Sequence, residues 1–491
     1  MKLYLLLFIT LGCFLQLKGQ RNLSLNEAIR IASDSSLAAF KAKNIYLADY
    51  WEYRTYLASL KPSLTLNSTV FDYNRALTKR YNSITNIDEY REQQSLYTDA
   101  NASVSQNLPF TGGTIFLNSE LSRIQGLGDN SYTQFNAVPL KIGLRQPILG
   151  YNQFRWQRKI EPLKYEKAKK DYIKSTEFIS LQMVDYFFDL LVAKSRVTMA
   201  NANTANADTL YNIGLKRFEI ASLSQSEILT LKVDVLNARN KLAEANKVFK
   251  NATYYFYSYA RLPESAAMEL QVPEKLPVCN VEFDKVLTDA LTNNPDILGY
   301  QQQLLESESN LERTRRESRL NASLNASFGL NQQSPRLVDA YNNPMDQQQA
   351  SVGISIPIID WGQRKGRYNI AQKNHEVTQL TVEQAKVDFR QQVMMAVTNY
   401  TMQSDVVKSA LETRDVARQA YETTKYRFLI GKADVNSLSL ALERQDNANL
   451  NYLEALRAYW KYYYTIRWLT LVDYEHDKSL SDSFDEKMGM K

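Results

Sequence analysis

Residues 211–262 and 421–472 repeat one another at a constant offset of 210, and this duplication limits what the chain can fold into more than any other feature. Tyr211 meets Tyr421, Arg217-Phe218 meets Arg427-Phe428, Ile220 meets Ile430 and Ala221 meets Gly431. Beneath the identities runs a heptad seam: Ile228, Leu231, Val235, Ala238, Leu242, Ala245, Phe249, Ala252, Phe256 and Tyr259 follow alternating steps of three and four. Such a stripe needs an apolar neighbour along its whole length. The second copy reads Leu438, Ala441, Gln445, Ala448, Tyr452, Ala455, Tyr459, Tyr462, Ile466 and Leu469, with Gln445 its one polar interruption. Small residues at alternate places allow close helix approach, and a seam this long predicts left-handed supercoiling.

A weaker repeat opens each half. Residues 23–67 resemble 281–325 at an offset of 258, with Leu25, Ala28 and Ile29 matching Phe283, Val286 and Leu287. The change of offset places about 48 extra residues in the first half. Each half therefore reads helix, strand region, long helix, tip, long helix. Breakers are scarce: the 491 residues hold 16 Gly and 12 Pro, and between Pro162 and Pro263 only Gly214 interrupts. Two arms of about 50 residues, roughly 75 Å each, are expected per repeat. They turn back near residues 221–226 and 431–437, where Gly431 supplies a permissive backbone.

Met1 to Gly19 has a Lys near its start, an apolar run from Leu3 to Leu17 and a small residue at its end, the pattern of an export leader cleaved before Gln20. Lipidation at Cys13 fits less well, because Phe14, Leu15 and Leu17 continue the apolar run past it. No other stretch has the 18 or more consecutive apolar residues of a membrane-spanning helix. The formal net charge of +6 is mild and spread among acids, and no nucleic-acid-binding signature is present, so no nucleic-acid partner is expected. Two His and two Cys leave little for metal or thiol chemistry, and Cys279 reads as a small apolar residue. P-loop, G-x-S-x-G, H-E-x-x-H and G-x-G-x-x-G patterns are missing, and Asp185 and Asp189 read as helix-face charges. Neither an enzyme nor a cofactor or metal site is expected.

Short alternating runs complete the pattern. Leu320, Ala322, Leu324, Ala326, Phe328 and Leu330 alternate with Asn321, Ser323, Asn325, Ser327 and Gly329. This is about the length of a tilted strand crossing a bilayer, roughly 9 to 11 residues. Val352, Ile354 and Ile356 form a second run, and the first half offers residues 63–73, 101–108, 114–121 and 135–147. A half-buried sheet in water alternates in the same way. The runs are too few for a sandwich of ordinary size, so a sheet completed by copies of the chain is the better reading.

At this point the residues resemble a known family. Pro62-Ser63-Leu64, the segment SIPIIDWGQRKGRYNIAQ from Ser355 to Gln372, and the tip segments LKRFEIASLSQSEIL and KYRFLIGKADVNSL are similar to those of TolC-like outer-membrane efflux ducts, over essentially the whole mature length. The resemblance implies a mainly α fold with a small β part: long antiparallel coiled-coil helices forming a trimeric α-barrel, capped by a membrane β-barrel shared among three protomers. It implies a homotrimer in outer-membrane lipid with a long periplasmic extension, docked to a periplasmic adaptor (membrane fusion) protein and an inner-membrane pump of RND or ABC type. The chain would be the passive exit duct of a tripartite efflux or type I secretion system, gated at its periplasmic tips.

Carried over by motif, the tip and gate residues are Arg217, Phe218, Glu227, Arg427, Phe428, Gly431, Asp434 and Ser437. Ser437 stands where the family has an acid, and Leu440 where it has another, which weakens an acidic ring from the second tip; Asp434 is the nearby substitute. Helix-end charge is the competing reading of Glu227 and Asp434.

The expected layout is a leader at 1–19, a first repeat at 20–270, a second at 271–472 and a polar tail at 473–491. If all four first-half runs span, a chain gives six strands and a trimer 18, where the family usually has 12; alternatively two runs form a hairpin outside the membrane. A pore-free periplasmic coiled-coil scaffold is the rival function, and it leaves the alternating runs unexplained.

Overall fold

The computed structural model describes residues 21–128, 131–220, 223–263, 268–277, 279, 281–482 and 484. The expected leader with Cys13, the turn residue Ala221 and the end of the expected tail (483 and 485–491) lie outside the described residues. In chain order the elements are β1 (Arg21–Leu23), α1 (Leu25–Ser35), α2 (Leu37–Ser59), β2 (Ser63–Asn82), β3 (Ile87–Leu108), β4 (Gly113–Leu127), β5 (Tyr132–Pro147), α3 (Gln153–Glu219), α4 (Gln225–Ala260), β6 (Met268–Leu270), α5 (Phe283–Asn293), α6 (Pro295–Glu317), β7 (Asn321–Ser334), β8 (Met345–Ser355), α7 (Gln363–Leu429), α8 (Val435–Thr470), β9 (Val472–Asp473) and β10 (Lys478–Ser479).

The helices of the two halves have equal lengths: 11 residues in α1 and α5, 23 in α2 and α6, 67 in α3 and α7, and 36 in α4 and α8. The two arms of each repeat are thus unequal, where the scarcity of breakers alone points to about 50 residues each. Pro162 lies inside α3 and does not start it; it forfeits one bond, to the Arg158 carbonyl, and the helix runs on.

The break between the first two helices is built differently in each half. Ser36 ends α1 by donating its N–H to the Ala32 carbonyl, and its hydroxyl accepts from Ala39 at the start of α2. In the second half Asn294 does this work, accepting from the Asp296 N–H at 2.9 Å, with Pro295 at the first helical position.

The chain folds as two compact units, each drawn from both repeats. The first comprises the residues up to Leu47, Lys169–Ile297 and Lys386 onward. Its core joins Phe187 and Phe188 of α3, Phe256 of α4, Val393 of α7 and Leu456, Ile466 and Leu469 of α8 with α1 and α5. All residues of the two heptad seams are buried or half-buried. Within this core Arg467 of α8 meets the Glu177 carboxylate of α3 at 2.9 and 3.1 Å and Asp473 at 3.0 Å, and lies over the Tyr464 ring at 5.2 Å. Asp473 belongs to the β9–β10 hairpin, and Phe484 beyond it is buried against Tyr46 and Tyr172. The expected polar tail therefore begins as packed structure, because this hairpin caps the end of α8.

The second unit comprises Ala48–Ala168 and Leu298–Ala385. Helical segments here are tied by Trp156 donating to Glu312 at 2.8 Å, by Tyr151 with Ser309, by Ser307 with His375, and by stacked Tyr53 and Tyr165 rings 4.6 Å apart. Its six strands form one antiparallel sheet in the order β2-β3-β4-β5-β7-β8. Register sorts side chains onto two faces. One carries Leu64, Leu66, Ala102, Val104, Ile115, Leu117, Ile142, Leu144, Ala326, Phe328, Val352 and Ile354; the other carries Asn67, Asn101, Ser103, Asn118, Lys141, Asn325 and Ser351. The apolar face is open: Leu64 is 72%, Leu66 71%, Val352 60% and Ile354 62% exposed.

All four first-half runs are strands of this one sheet. β2 and β3 are much longer than their alternating runs, at 20 and 22 residues, and beyond Gln94 they pair only with each other. Arg75 with Glu92 at 2.6 Å and Lys79 with Asp88 at 2.8 Å lace that free ribbon, which ends in a turn where Asn86 takes φ 56°.

Candidate functional site at the helical tips

The tips lie within the first unit, where α3 turns into α4 and α7 into α8. α7 ends in a pattern that only a left-handed residue completes. The Gly431 N–H donates to the Phe428 carbonyl at 3.0 Å and the Lys432 N–H to the Arg427 carbonyl at 2.8 Å, with Gly431 at φ 77°. Three residues on, the Asp434 carboxylate caps α8 by accepting from the Ser437 N–H at 2.6 Å. The first tip starts its return helix with a capping box. Ser224 accepts from the Glu227 N–H at 3.3 Å, and the Glu227 carboxylate accepts from the Ser224 N–H at 2.7 Å and its hydroxyl at 2.8 Å.

These bonds decide the chemistry of the two tip acids. The Ser224 backbone N–H and then its hydroxyl hold Glu227 below the usual carboxylate range, and Ser437 does the same for Asp434. Both groups are ionised at neutral pH and committed to helix starts. Asp434→Ala is expected to strip hydrogen-exchange protection from the Ser437 and Leu438 amides, whereas Asp434→Asn, whose side-chain oxygen also caps, keeps it. Equal exchange in all three proteins would show the cap to be idle.

Among the described residues, Arg217 carries the hydrogen bonds that join the tips. Arg217 of α3 donates to the Leu429 carbonyl at 3.3 Å and the Phe428 carbonyl at 3.5 Å, and its guanidinium sits over the Phe428 ring at 5.4 Å. Phe428 is buried with Tyr421 and Leu438. The repeated Arg-Phe pair is not used symmetrically: among the described residues Arg427 donates to the Lys432 carbonyl of its own turn, at 3.3 Å, and Phe218 is 40% exposed. Further along, Asn203 donates to Asp446 at 2.6 Å and Asn206 to the Tyr421 hydroxyl at 3.1 Å. A cleft of about 1600 Å³ is lined by seven of the eight candidate residues, all but Phe218. Glu412, Arg444, Asn447 and Asn451 also line it, so its wall mixes charge and amide.

The contribution of Ser224 and the role of the Phe428 and Leu429 carbonyls are additions to the set expected from the sequence. Ser224-x-x-Glu227 is nevertheless a readable capping-box pattern. Backbone acceptors leave no residue signature.

A family model described as outer membrane efflux protein matches residues 286–468. This stretch is an outer membrane efflux protein domain. The resemblance read from the strand-to-helix and tip segments therefore holds. A relative called toxin and drug export protein A, from Aggregatibacter actinomycetemcomitans, is 24% identical over 226 residues. That alignment spans 45% of this chain and 48% of the relative, about half the length of each. Solved structures agree on the fold over nearly the whole chain. The CmeC outer membrane channel of Campylobacter jejuni superposes with a TM-score of 0.68 at 14% identity, covering 94% of this chain and 89% of CmeC. The outer membrane protein VceC of Vibrio cholerae gives 0.63 at 12% identity, covering 91% of this chain and 95% of VceC. The fold thus persists around the efflux domain while the sequence diverges.

Proposed function

We propose that this chain is one protomer of a trimeric outer-membrane channel, a passive exit duct for a tripartite efflux or type I secretion system. The observation that carries this reading is the sheet with one exposed apolar face, one polar face and two open edges. In water the apolar face would stay uncovered, and in lipid the open edges would leave backbone groups without partners. Closure into a barrel by copies of the chain satisfies both. The amide-rich polar face then lines an aqueous lumen. The tip contacts of Arg217 close the periplasmic end, and an adaptor and inner-membrane pump engage the tips and supply the energy. The efflux domain and the relative named for toxin and drug export support this assignment.

The test is the native mass of the full-length protein after separating inner from outer membranes and extracting with mild detergent. A detergent-requiring trimer in the outer-membrane fraction is expected. A water-soluble monomer or dimer would leave the pore-free scaffold instead.

A further inference from the structure

We infer that the inserted β3–β4 hairpin belongs to the closed wall, and that copies of this chain join through β8 of one and β2 of the next, making a barrel of eighteen strands from three six-stranded sheets. The number of copies rests on the channel reading above; the place of the hairpin and the joining edges rest on this sheet.

Strand order is the first argument. Two strands can leave a wall of this order only from an edge. A twelve-strand barrel would therefore need β2 and β3 to peel away together, breaking the β3–β4 ladder that runs from Gln94 to Leu108. Nothing in that ladder marks a weak seam: its pairing is continuous, whereas β2–β3, β4–β5 and β5–β7 each contain a register shift.

Face continuity is the second. Ala102 and Val104 of β3 and Ile115 and Leu117 of β4 extend the apolar face, and Asn101, Ser103 and Asn118 extend the polar one. A hairpin lying outside a bilayer has no reason to keep both faces in step with strands that cross it. Its turn is also anchored at the helical end of the sheet, where Asn152, just before α3, donates to the Pro109 and Phe110 carbonyls at 3.2 Å. The inserted strands thus start level with their neighbours.

Polarity is the third. Six strands alternating in direction leave β2 and β8 antiparallel, so β8 of one copy meets β2 of the next with the ladder geometry used throughout the sheet. The lengths are comparable: β8 has 11 residues, and β2 offers 13, Ser63 to Arg75, before the free ribbon begins. Both edges are exposed along that length. Barrel diameter grows roughly linearly with strand number, so this wall is about 1.5-fold wider than one of twelve and falls in the porin range that leaves an aqueous channel.

Disulfide trapping separates the two walls. In a background with Cys13→Ser and Cys279→Ser, Ser351→Cys on the polar face of β8 is combined in turn with Thr65→Cys, Asn67→Cys and Thr69→Cys on β2. Each double variant is first checked for native mass in detergent. Oxidation is expected to convert most chains of at least one double variant into dimer and trimer bands that reduction reverses, with single variants staying monomeric on denaturing gels. The competing wall of twelve would place β8 beside β4, so a variant carrying Ser351→Cys with Asn118→Cys that links copies overturns the inference. Trimeric native mass with no link from any β2 position also overturns it, while leaving the channel reading intact. A monomeric native mass in unsubstituted protein removes both.

Discussion

Arg217→Ala should raise the basal ion conductance of the reconstituted protein several-fold with its native mass unchanged. Arg217 is the residue seen to bridge the tips, through two backbone carbonyls and the Phe428 ring. Its removal leaves the Phe428 carbonyl with the Gly431 N–H alone, takes the Arg217 donor from the Leu429 carbonyl and strips the ring of its cation. Arg217→Lys should fall between, because an ammonium carries the charge but not the planar guanidinium that lies over the Phe428 ring while one Nη donates to both carbonyls. Arg427→Ala is the informative control: among the described residues Arg427 donates within its own turn, so conductance should change little. The tip acids are spoken for by their caps, and Glu227→Gln, which still accepts from Ser224, should also have a small effect. Planar-bilayer recording of the variants decides the matter. A leak in Arg427→Ala with none in Arg217→Ala would put the closure elsewhere.

The largest loss of stability is expected at Arg467. Its side chain is 14% exposed and that of Glu177 7%, so Arg467→Met strands a carboxylate in the core. Breaking such a pair from one side costs on the order of 3 kcal/mol. Arg467→Met combined with Glu177→Leu should recover much of that loss, since removing both charges leaves neither stranded. Thermal unfolding of the extracted protein should show a drop of several degrees for the single variant and a smaller one for the double.

The same cluster sets a pH limit. Burial pushes Arg467 down, but the Glu177 carboxylate beside it outweighs this and holds the guanidinium above its ordinary value, so it is charged throughout the accessible range. Burial also pushes Asp473 up, and Arg467 together with hydrogen bonds from His476 and Tyr463 outweighs that, leaving the carboxyl below its usual range. A depressed carboxyl contributes stability that is present above its unfolded value, about 4, and is lost as pH falls through the folded value. Acid lability below about pH 4 should therefore be weaker in Arg467→Met, measured against its own neutral-pH stability. An unchanged acid profile would place the linkage on other carboxylates.

Much of this architecture is legible in the residues. The offsets of 258 and 210 appear unchanged as helix starts at Leu25 and Phe283 and at Gln225 and Val435, because heptad seams report helix register directly. The apolar face of the sheet is legible for the same reason at period two. What alternation misses is the ribbon beyond Tyr73. There Tyr81 and Tyr90 share a face with Lys79 and Asp88, and neither face is covered, so hydrophobic pattern carries no signal; cross-strand ion pairs and the Asn86 turn hold it. At the tips, the repeated Arg-Phe motif points to the right residues. It does not say that Arg217 and not Arg427 crosses among the described residues, since the targets are main-chain oxygens whose position depends on how Gly431 turns the chain.

The equal helix lengths of the two halves bear on how such a chain evolves. One inserted residue in a helix rotates everything beyond it by about 100° and carries a seam off its partner. Substitution at a single seam position is absorbed locally by comparison, as where Gln445 stands in the second copy and Val235 in the first. Selection acting on such helices therefore tolerates spelling changes and rejects frame changes, so two copies can drift until few letters agree while their helix lengths stay locked. Ancestry in this chain is recorded in lengths more durably than in residues.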